Sequence, residues 1–488
     1  SLFIHLRDGT VQVGRVVERE YEQNPSYAGQ VVRNAKRFMR LDSSYGFTSG
    51  QKRFSPAEVL AEFLRALRKA AENYTDRLKS HALAKGLDWS NWLDAVVITV
   101  PAYFGATERQ ATKRAARLAG FSPTDVHLLD EPVAAALANG VHLNQQRDRV
   151  LVVDLGGGTC DLTLLETGGP KGFQELGRFG DNEFGGLDWD REIARRAIVR
   201  SDLKHVPPDL LGDDGLPDYM RYGEILRAAE RAKILYVDDA NRHEFVLKLE
   251  DPDNPAHARA VTLPRGEFDA VNTPLCSYVG HLADRLLESC GPRRKPDKPP
   301  AGVKWGDVQR VLLVGGGSQI PGVRAVLSKR RGEDVVPPPA AQLAIARGAA
   351  TYGQILSEGK RLDGISHPRC PHDIGLMAKP NSHRSWTGWW AGLLGRPGAN
   401  GASTSKEEYV PLLWRNTQLP ARFKAQFSLS SRNPVVKIQI CNLEYTRRKP
   451  RGAVNILKTL KFSGLPPVAD GRHDLLLVDV EFDHDHCL

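Results

Sequence analysis

The sequence lacks several features that would place it in a familiar class. No apolar run approaches the about 18 residues that a membrane-spanning helix needs. The six cysteines are scattered without a C-x-x-C pair, which argues against a disulfide framework or a zinc site and favours a reducing, cytoplasmic compartment. Two phosphate-binding patterns are also missing. There is no G-x-x-x-x-G-K-[ST] run, and the G-x-G-x-x-G pattern fails because Asp161 stands where its last glycine should be.

The composition is that of a globular protein with a basic charge balance. At 488 residues the chain is long enough for about three domains of ordinary size, and 41% of its residues are hydrophobic. Lysine and arginine number 67 against 58 acidic residues, a net charge of +9. The excess is spread along the chain, with short clusters only at residues 293–298 and 447–451. We therefore expect a solvated basic surface and no specific nucleic-acid site.

The most informative stretch is residues 149–166, which read RVLVVDLGGGTCDLTLLE. Two apolar, β-branched runs flank the polar turn Asp154–Thr159, which predicts a β-hairpin with a glycine-built tip. Because glycines lack a Cβ, the amides of Gly156–Gly158 can converge on an anion, and a phosphate chain fits such a tip. The carboxylates of Asp154 and Asp161 flank these amides and predict a divalent cation, with Mg²⁺ as the natural candidate. The alternative is an ordinary tight glycine turn.

A second strand-to-glycine turn lies much later in the chain. The apolar run Val311–Val314 leads into the glycines of residues 315–317 and Ser318, ahead of a helix after Pro321. Two such turns after apolar strands in one chain suggest two lobes that close on one ligand.

Helical spacing and cap signals place helices around these turns. Capping boxes at Ser55–Glu58 and Thr107–Gln110 predict two helix starts, and Gly120 can close the second helix. Glu131 stands at the entrance of another helix and faces the same region as the hairpin tip. Further helices are predicted over residues 189–200, 224–236, 268–290 with a disturbance at Pro274, and 340–358.

Beyond residue 358 the composition and the period change. Residues 359–372 are typical of a polar linker, and residues 381–406 of an insertion rich in glycine and proline. Within the insertion, residues 386–394 carry tryptophans and leucines at helical spacing, which predicts a short helix that packs on the neighbouring strands or docks a partner or a membrane surface. Short alternating runs across residues 373–488 predict a separate all-β region, most simply an antiparallel sandwich.

Several motifs, taken together, have the order and spacing of a known family. They are Val100–Phe104, Arg109–Thr112, Glu131–Ala136, Asp154–Thr159 and Leu313–Ser318. Over about residues 8 to 488 the chain resembles the seventy-kilodalton heat-shock chaperones of the DnaK type. The resemblance implies an α/β actin-like (ribonuclease H-like) two-lobed ATPase domain over residues 1–358 and a linker over residues 359–372. It also implies an all-β sandwich over residues 373–488 that binds extended apolar peptides.

The resemblance also implies roles for individual residues, with ATP or ADP and Mg²⁺ as ligands. The implied catalytic residues are Lys36, Glu131, Asp154 and Thr159, of which Lys36 and Glu131 position the attacking water. The implied nucleotide-binding residues are Gly156, Gly157, Gly158, Thr159, Gly185, Gly186, Glu230, Lys233, Gly315, Gly316, Gly317, Ser318 and Gln319. The metal would be held by Asp154 and Asp161. Pro101 and Arg109 match the positions that relay nucleotide state.

The chain departs from the family pattern at several places. The family's first phosphate hairpin would precede Ser1 and its helical lid would follow Leu488, so we expect a chain that is incomplete at both ends. Gln319 replaces the arginine that stacks on adenine, and Val237 replaces a serine of the pocket, which weakens the adenine site. The acidic-leucine linker is reduced to Leu362-Asp363.

Three functions remain as hypotheses. The first is an ATP-hydrolysing chaperone with unfolded peptides, a J-domain cochaperone and a nucleotide-exchange factor as partners. The second is a non-hydrolysing, nucleotide-sensing scaffold or regulatory chaperone-like binding protein, which Gln319 and the reduced linker favour. The third is a sugar kinase of the same actin-like superfold, which the β region disfavours. For the chain as given we expect weak ATP binding and negligible turnover, because one phosphate hairpin is missing.

Overall fold

The computed structural model describes residues 2–359 with gaps, and beyond residue 359 the backbone of strands only. The gaps fall at residues 7, 15, 18–30, 34, 42–44, 50–51, 85–95, 103, 142–146, 170–171, 204, 211–220, 255–256, 292–300, 337 and 339. The described chain mixes helices and strands, which confirms the α/β class predicted for its larger part. Within these residues no helix is both long and apolar enough to cross a membrane.

The strands are numbered in chain order. They are β1 (Leu2–His5), β2 (Val11–Val13), β3 (Val32–Arg33), β4 (Phe47–Ser49), β5 (Lys52–Phe54), β6 (Val96–Val100), β7 (Val126–Asp130), β8 (Asp148–Leu155), β9 (Cys160–Gly169), β10 (Gly172–Asp181), β11 (Glu244–Leu249), β12 (Arg259–Pro264), β13 (Arg310–Val314), β14 (Asp373–Ala378), β15 (Glu408–Leu413), β16 (Ala421–Leu429), β17 (Val436–Thr446), β18 (Lys449–Phe462) and β19 (Asp474–Phe482).

The α-helices of the described chain lie between residues 56 and 357. They are α1 (Pro56–Ala84), α2 (Ala106–Leu118), α3 (Glu131–Ala138), α4 (Gly186–Arg200), α5 (Gly223–Asp238), α6 (Arg265–Ser289), α7 (Pro321–Arg331) and α8 (Ala344–Ser357). Short 3₁₀ turns cover Ala35–Leu41, Trp305–Asp307, Gly316–Gln319 and Ala341–Leu343.

A four-stranded sheet with the order β10-β9-β8-β13 lies at the centre of this structure. β8 pairs antiparallel with β9 and parallel with β13. Its apolar side chains alternate between two cores: Leu151 and Val153 pack in the cluster that includes α4 and α6, and Val150 and Val152 in the cluster that includes α3 and α8. Because both faces are covered, the strand is a continuous apolar run in the sequence.

Strands β6 and β7 precede this sheet in the chain and form a separate parallel pair. Helix α2 is the crossover that connects them. The register places Val100 opposite Asp130. Because parallel strands end at the same edge, Pro101 and Glu131, the residues that follow them, emerge together. The fold therefore brings two positions singled out in the sequence to one edge.

The helix ends confirm some cap predictions and correct another. The capping box at Ser55 is formed, since Ser55 N–H donates to Glu58 Oε2 at 2.7 Å and Glu58 N–H to Ser55 Oγ at 3.3 Å. The capping box predicted at Thr107 is wrong: α2 begins at Ala106, and Gly105 is its N-cap without a side-chain hydrogen bond. Glycine is itself an acceptable N-cap, so the helix starts earlier than the threonine suggests. α6 continues through Pro274 to its end at Ser289.

Beyond residue 359 the strands form two antiparallel sheets, with the orders β15-β14-β17-β18 and β16-β19. An all-strand region is what the alternating sequence predicts there. Face-to-face packing of these sheets into a sandwich stays a prediction, as do the domain boundaries at residues 358 and 372. Residues 360–372 of the linker and the insertion 381–406 with its tryptophans lie outside the described residues.

Candidate active site

The hairpin predicted around the three glycines is formed by β8 and β9. The register places Asp154 opposite Asp161 and Leu155 opposite Cys160. Residues that face each other across antiparallel strands project to the same side of the sheet, so the two carboxylates share one face. The Gly156 N–H donates to Thr159 O at 2.9 Å and closes the tip. A half-buried Thr159 thus ends a glycine turn that starts beside Asp154.

The N-terminus of α4 holds the hairpin tip from one side. Gly186 N–H donates to Gly156 O at 2.9 Å, and Leu187 N–H donates to Gly157 O at 2.8 Å. A methyl group on Gly185 would lie 2.7 Å from backbone atoms of Gly158, so only glycine permits this approach. A methyl group on Gly157 would meet nothing within 4 Å. The hairpin tip is therefore in tight contact with Gly185 on one side, whereas Gly157 faces open space. The tip also lies beside the partial positive charge of the α4 N-terminus.

Lys36 and Glu131 meet next to this hairpin. Lys36 Nζ donates to Glu131 Oε1 at 2.5 Å, although the residues are far apart in the chain. Glu131 begins α3 and its side chain is buried, whereas the Lys36 side chain is 47% exposed. The pairing inferred from the family resemblance is therefore present as a direct contact.

The electrostatics of the site follow from several acids in a small volume. Burial raises the pKa of Asp154 to about 7, helped by Glu131 and opposed by Lys36. Burial, Glu131 and Asp154 likewise raise the pKa of Asp161 well above its usual range. For Lys36, burial acts to lower the pKa, but Glu131, Asp154 and Asp161 together raise it. The cluster therefore contains more carboxyl groups than one lysine can balance in their ionised form, and burial favours the protonated form of Asp154 and Asp161.

Asp161 shows that the site is suited to a cation. Both of its carboxylate oxygens are buried and have no hydrogen-bond partner among the described residues. Burying a carboxylate without a hydrogen-bond partner costs free energy. Carboxylate oxygens are ligands of divalent cations such as Mg²⁺, so a bound cation would supply the missing partner. The side chains of Asp154 and Asp161 therefore fit Mg²⁺, as their sequence pattern predicts.

The second glycine turn lies directly against the end of β8. Val314 is opposite Asp154 in the parallel pair. Gly315 has a positive φ of 80°, and a methyl group there would lie 2.6 Å from Asp154 Oδ1. Gly317 is as tightly placed, with Leu155 Cγ 2.6 Å from a methyl group at that position. The two glycine turns thus meet at one edge of the sheet, as expected for a shared ligand.

The family resemblance matches Glu230, Ser318 and Gln319 to the adenosine side of the ligand. Ser318 is buried and its hydroxyl donates to Gly315 O at 2.7 Å. Gln319 is at the surface, where its amide donates to Gln342 Oε1 at 2.8 Å. Glu230 is exposed on α5. Nothing at Gln319 supplies the positive charge of the arginine that it replaces.

Lys233 connects α5 to the N-terminus of α4, which contacts the hairpin tip. Its Nζ donates to Gly186 O at 3.1 Å and lies 2.7 Å from Asp190 Oδ1. Burial raises the pKa of Asp190 to about 7, against the effect of Lys233. Asp190 was not singled out in the sequence. The sequence feature that could have indicated Asp190 is the run Gly185–Asp190, in which a second acidic residue follows within the first turns of a helix.

Arg109 lies near the loop that follows β6. Its Nη2 donates to Asp130 Oδ1 at 2.5 Å, and its Nε donates to Phe104 O at 2.9 Å. Phe104 N–H in turn donates to Pro101 O at 3.0 Å. The two positions matched to the family's switch are therefore joined through one short loop, while their relay role stays a prediction.

Comparison with known families gives a match for this chain. A family model described as "Hsp70 protein" matches residues 11–367 of this 488-residue chain. The match includes both glycine turns, the Lys36–Glu131 pair and both carboxylates of the candidate metal site.

Proposed function

Because that match covers most of its length, the chain belongs to the Hsp70 family, and we propose that it is a chaperone that binds ATP and ADP with Mg²⁺ and hydrolyses ATP. The observation that carries the proposal is the meeting of an open glycine tip with Asp161, a buried carboxylate that has no partner among the described residues. An anion and a cation are the two ligands that this arrangement accepts together.

The phosphates are assigned to the first glycine turn, and the second glycine turn is assigned to the adenosine side of the ligand. Backbone N–H groups of residues 157–159 are assigned to the phosphates as fixed positive dipoles. The N–H groups of Gly186 and Leu187, at the start of α4, hold the tip in place by donating to Gly156 O and Gly157 O. The second turn, residues 315–318, lies against Asp154 and completes the edge. Dipoles that are already in place cost no reorganisation when charge builds up on the transferring phosphoryl group.

Asp154 and Asp161 are the residues that would hold Mg²⁺. When bound, the cation neutralises phosphate charge and helps to fix the phosphate chain. The chain's own contribution is to present two carboxylates on one face of the hairpin, opposite each other in register.

Lys36 and Glu131 are assigned to the attacking water. The raised pKa of Lys36 keeps it protonated at neutral pH, so it can donate to a water oxygen while Glu131 accepts from the ammonium or from the water. Held by α3 and by the 2.5 Å contact, the pair has a defined position before the ligand arrives. Such alignment acts mainly in the transition state. Thr159 is assigned to the same site from the end of the tip.

The adenosine moiety is assigned to Glu230, Lys233, Ser318 and Gln319. The exposed amide pair of Gln319 and Gln342 gives this side less binding energy than a stacked arginine would. The nucleotide is therefore held chiefly by its phosphates.

The chaperone part of the proposal concerns the strands beyond residue 372. We assign extended apolar peptides to this region, with residues near Phe427, Val436 and Ile438 as the contact, a J-domain cochaperone and a nucleotide-exchange factor as partners, and the cytoplasm as the location. Family membership supports this assignment. The ATPase domain is taken as residues 1–358 and the linker as residues 359–372.

Calorimetry of ADP binding with Mg²⁺ and with a chelator tests the nucleotide site. We expect Mg²⁺ to strengthen binding in the wild type and to lose that effect in Asp161→Asn. A matched control is Asp181→Asn, since Asp181 is a buried acid of β10 whose oxygens accept from Tyr278 Oη and Glu183 N–H. Equal responses of the two variants, or no ADP binding by the wild type, would contradict the proposal.

The second candidate is a scaffold that binds nucleotide without hydrolysing it. The neutral contact of Gln319 favours it, because a weakened base site matters less to a sensor than to an enzyme that must turn over. In a polypeptide that includes the family's first phosphate hairpin, binding of ATP without release of phosphate over many hours would support the scaffold and contradict the ATPase.

A further inference from the structure

A buried arginine joins the sheet of the hairpin to the strands beside it. Arg178 lies in β10 opposite Thr163 of β9, and its side chain is 2% exposed. With Trp189 it is among the largest side chains that the fold encloses fully. Burial of an arginine is costly unless its donors are used, so the groups that it contacts indicate its role.

The guanidinium of Arg178 contacts both sheets. Its Nε and Nη2 each donate to one oxygen of the Glu175 carboxylate at 2.7 Å. Its Nη1 donates to Ala102 O, in the loop after β6. Nη2 also lies 3.4 Å from Asp130 Oδ2, at the end of β7. Only a planar fork of donors can hold three such groups at once.

Asp130 connects this arginine to the water-aligning pair. Its other oxygen accepts from Arg109 at 2.5 Å, so two arginines share one carboxylate. Asp130 is the N-cap of α3, yet its side chain makes no capping hydrogen bond. The next residue along the chain is Glu131, which holds Lys36. Where Asp130 is fixed, the start of α3 and the carboxylate of Glu131 are fixed with it.

We propose that Arg178 is a positioning residue that couples the hairpin tip to the loop after β6 and to Glu131. The proposal rests on the proposed nucleotide site. β9 runs from the tip at Cys160 and pairs with β10 along most of its length, so ordering of the tip reaches Arg178 through a hydrogen-bonded ladder. The guanidinium of Arg178 transmits this ordering to Ala102 and Asp130 through its contacts with both residues. A ligand at the tip thereby tightens a loop that it does not touch.

No pattern in the sequence indicates this role. A lone arginine in a strand that also carries Glu175 and Gly177 is typical of a solvent-facing position. A register shift between Glu175 and Gly177 changes which side chains face inward, and such bulges re-aim side chains.

Hydrogen exchange measured by mass spectrometry tests the coupling in the 488-residue chain, with and without saturating MgADP. In the wild type we expect MgADP to slow exchange at residues 155–160. We also expect exchange at residues 102–110 to slow by about fivefold or more, a factor at the lower end of ordinary coupling between two sites. Arg178→Lys keeps the charge but loses the fork. It should retain the slowing at residues 155–160 and reduce that at residues 102–110 to less than about twofold.

Two further variants keep the test decisive. Asp130→Asn leaves Arg178 paired with Glu175 and Ala102, so it replaces Arg178→Lys if that variant does not fold. It should show a smaller but clear loss of the slowing at residues 102–110. Arg195→Lys is the matched control, because Arg195 pairs with Glu192 at the same sequence spacing on a partly exposed helix face, and it should behave as wild type.

The outcomes separate this proposal from the nucleotide site itself. If MgADP slows exchange at residues 155–160 but leaves residues 102–110 unchanged in the wild type, Arg178 does not couple them. Equal slowing at residues 102–110 in the wild type, Arg178→Lys and Asp130→Asn would overturn the proposal as well. If MgADP slows exchange nowhere, the nucleotide site fails instead, and coupling by Arg178 falls with it.

Discussion

The two glycine turns of the site differ in the charge that stands behind them. Behind the first, residues 154–159, lie two buried carboxylates and the Lys36–Glu131 pair. Behind the second, residues 315–319, lie a buried hydroxyl that bonds within the turn and an amide that bonds to Gln342 at the surface. The groups behind the first turn cost much free energy to bury, whereas the groups behind the second turn cost little.

This difference indicates where the site is constrained. A buried carboxylate without a partner lowers stability, so its presence points to a ligand that supplies the partner. An exposed pair of amides carries no such cost, and its residues can change without penalty to the fold. In the proposed function, the first turn on the phosphate side therefore defines the chemistry, and the second turn on the base side is free to vary.

The largest effect should come from the charged groups of the first turn. In a protein with a complete site, Lys36→Ala or Asp154→Asn should lower the hydrolysis rate by roughly a hundredfold or more, the scale for one preorganised group. Nucleotide affinity should change much less for Lys36→Ala, since water alignment acts mainly in the transition state. Single-turnover hydrolysis and calorimetry measure the two quantities. Equal losses of rate and affinity would indicate a collapsed site.

Two glycines of the same site should respond differently to alanine. Gly185→Ala places a methyl group 2.7 Å from the Gly158 backbone, and overpacking of this kind costs about 1–3 kcal/mol of unfolding free energy. Gly157→Ala meets nothing within 4 Å, so it should leave stability unchanged and weaken nucleotide binding. Urea unfolding and ADP titration of both variants check this, with Gly266→Ala, also in open space, as the control. Loss of stability in Gly157→Ala would show that the tip is not open.

The pH dependence of stability should report the first turn. The pKa of Asp154 is raised from 3.8 to about 7 in the folded chain, so the folded state holds a proton there that the unfolded state has lost. Without Mg²⁺ the free energy of unfolding should therefore fall as pH rises from about 4 to 7, by at most about 1.4 kcal/mol per pH unit from this group. Urea unfolding of wild type and Asp154→Asn at pH 5 and 7 isolates its share. Identical slopes in the two proteins would contradict the assignment.

A smaller effect is expected at the second turn. Gln319→Arg restores a cation that can stack on an aromatic base, worth about 0.5–1 kcal/mol at an exposed site. We expect ATP affinity to rise by about two- to fivefold, with Gln319→Leu as a neutral control. Calorimetry measures both, and a gain in Gln319→Leu equal to that in Gln319→Arg would assign the effect to shape alone.

The smallest effect should be that of peptide on ATP turnover. Allostery requires an element with two docked states that both ligands bias. Residues 359–370, of which the structure describes only Gly359, offer Leu362 and Ile365 as side chains worth burying, each about 1.5–3 kcal/mol when enclosed. Ordering the segment costs about 1–2 kcal/mol per residue. We expect saturating apolar peptide to change steady-state hydrolysis only slightly. Stimulation above about tenfold, or about 1.4 kcal/mol of coupling, would contradict this.

The sequence predicted what local patterns can encode. The hairpin of residues 149–166 and the helix that begins at Glu131 follow from apolar runs, glycines and a proline, and both are confirmed. The start of α2 was misplaced because Thr107 has the residue type of a cap, while the chain turns at Gly105. Helix ends depend on backbone geometry that several residue types permit.

The contacts that the sequence did not predict are long-range ones between ordinary residues. Arg178 and Asp130 are far apart in the chain and neither belongs to a recognised motif, so only the pairing of strands places them together. The same holds for Lys233 and Asp190, which meet across two helices. Only the family resemblance predicts that Lys36 pairs with Glu131, because no pattern in the residues themselves indicates the contact.

Asp161 has a consequence for how this protein can change over evolutionary time. Its two oxygens are buried without partners among the described residues. Under the proposed function the position therefore exchanges stability for ligand binding, a trade-off common at functional sites. In a lineage that ceased to bind nucleotide, selection for the carboxylate would vanish while its cost remained. An apolar residue or asparagine should then replace it early. The residue at position 161 of a divergent copy is therefore a marker of whether that copy still binds its ligand.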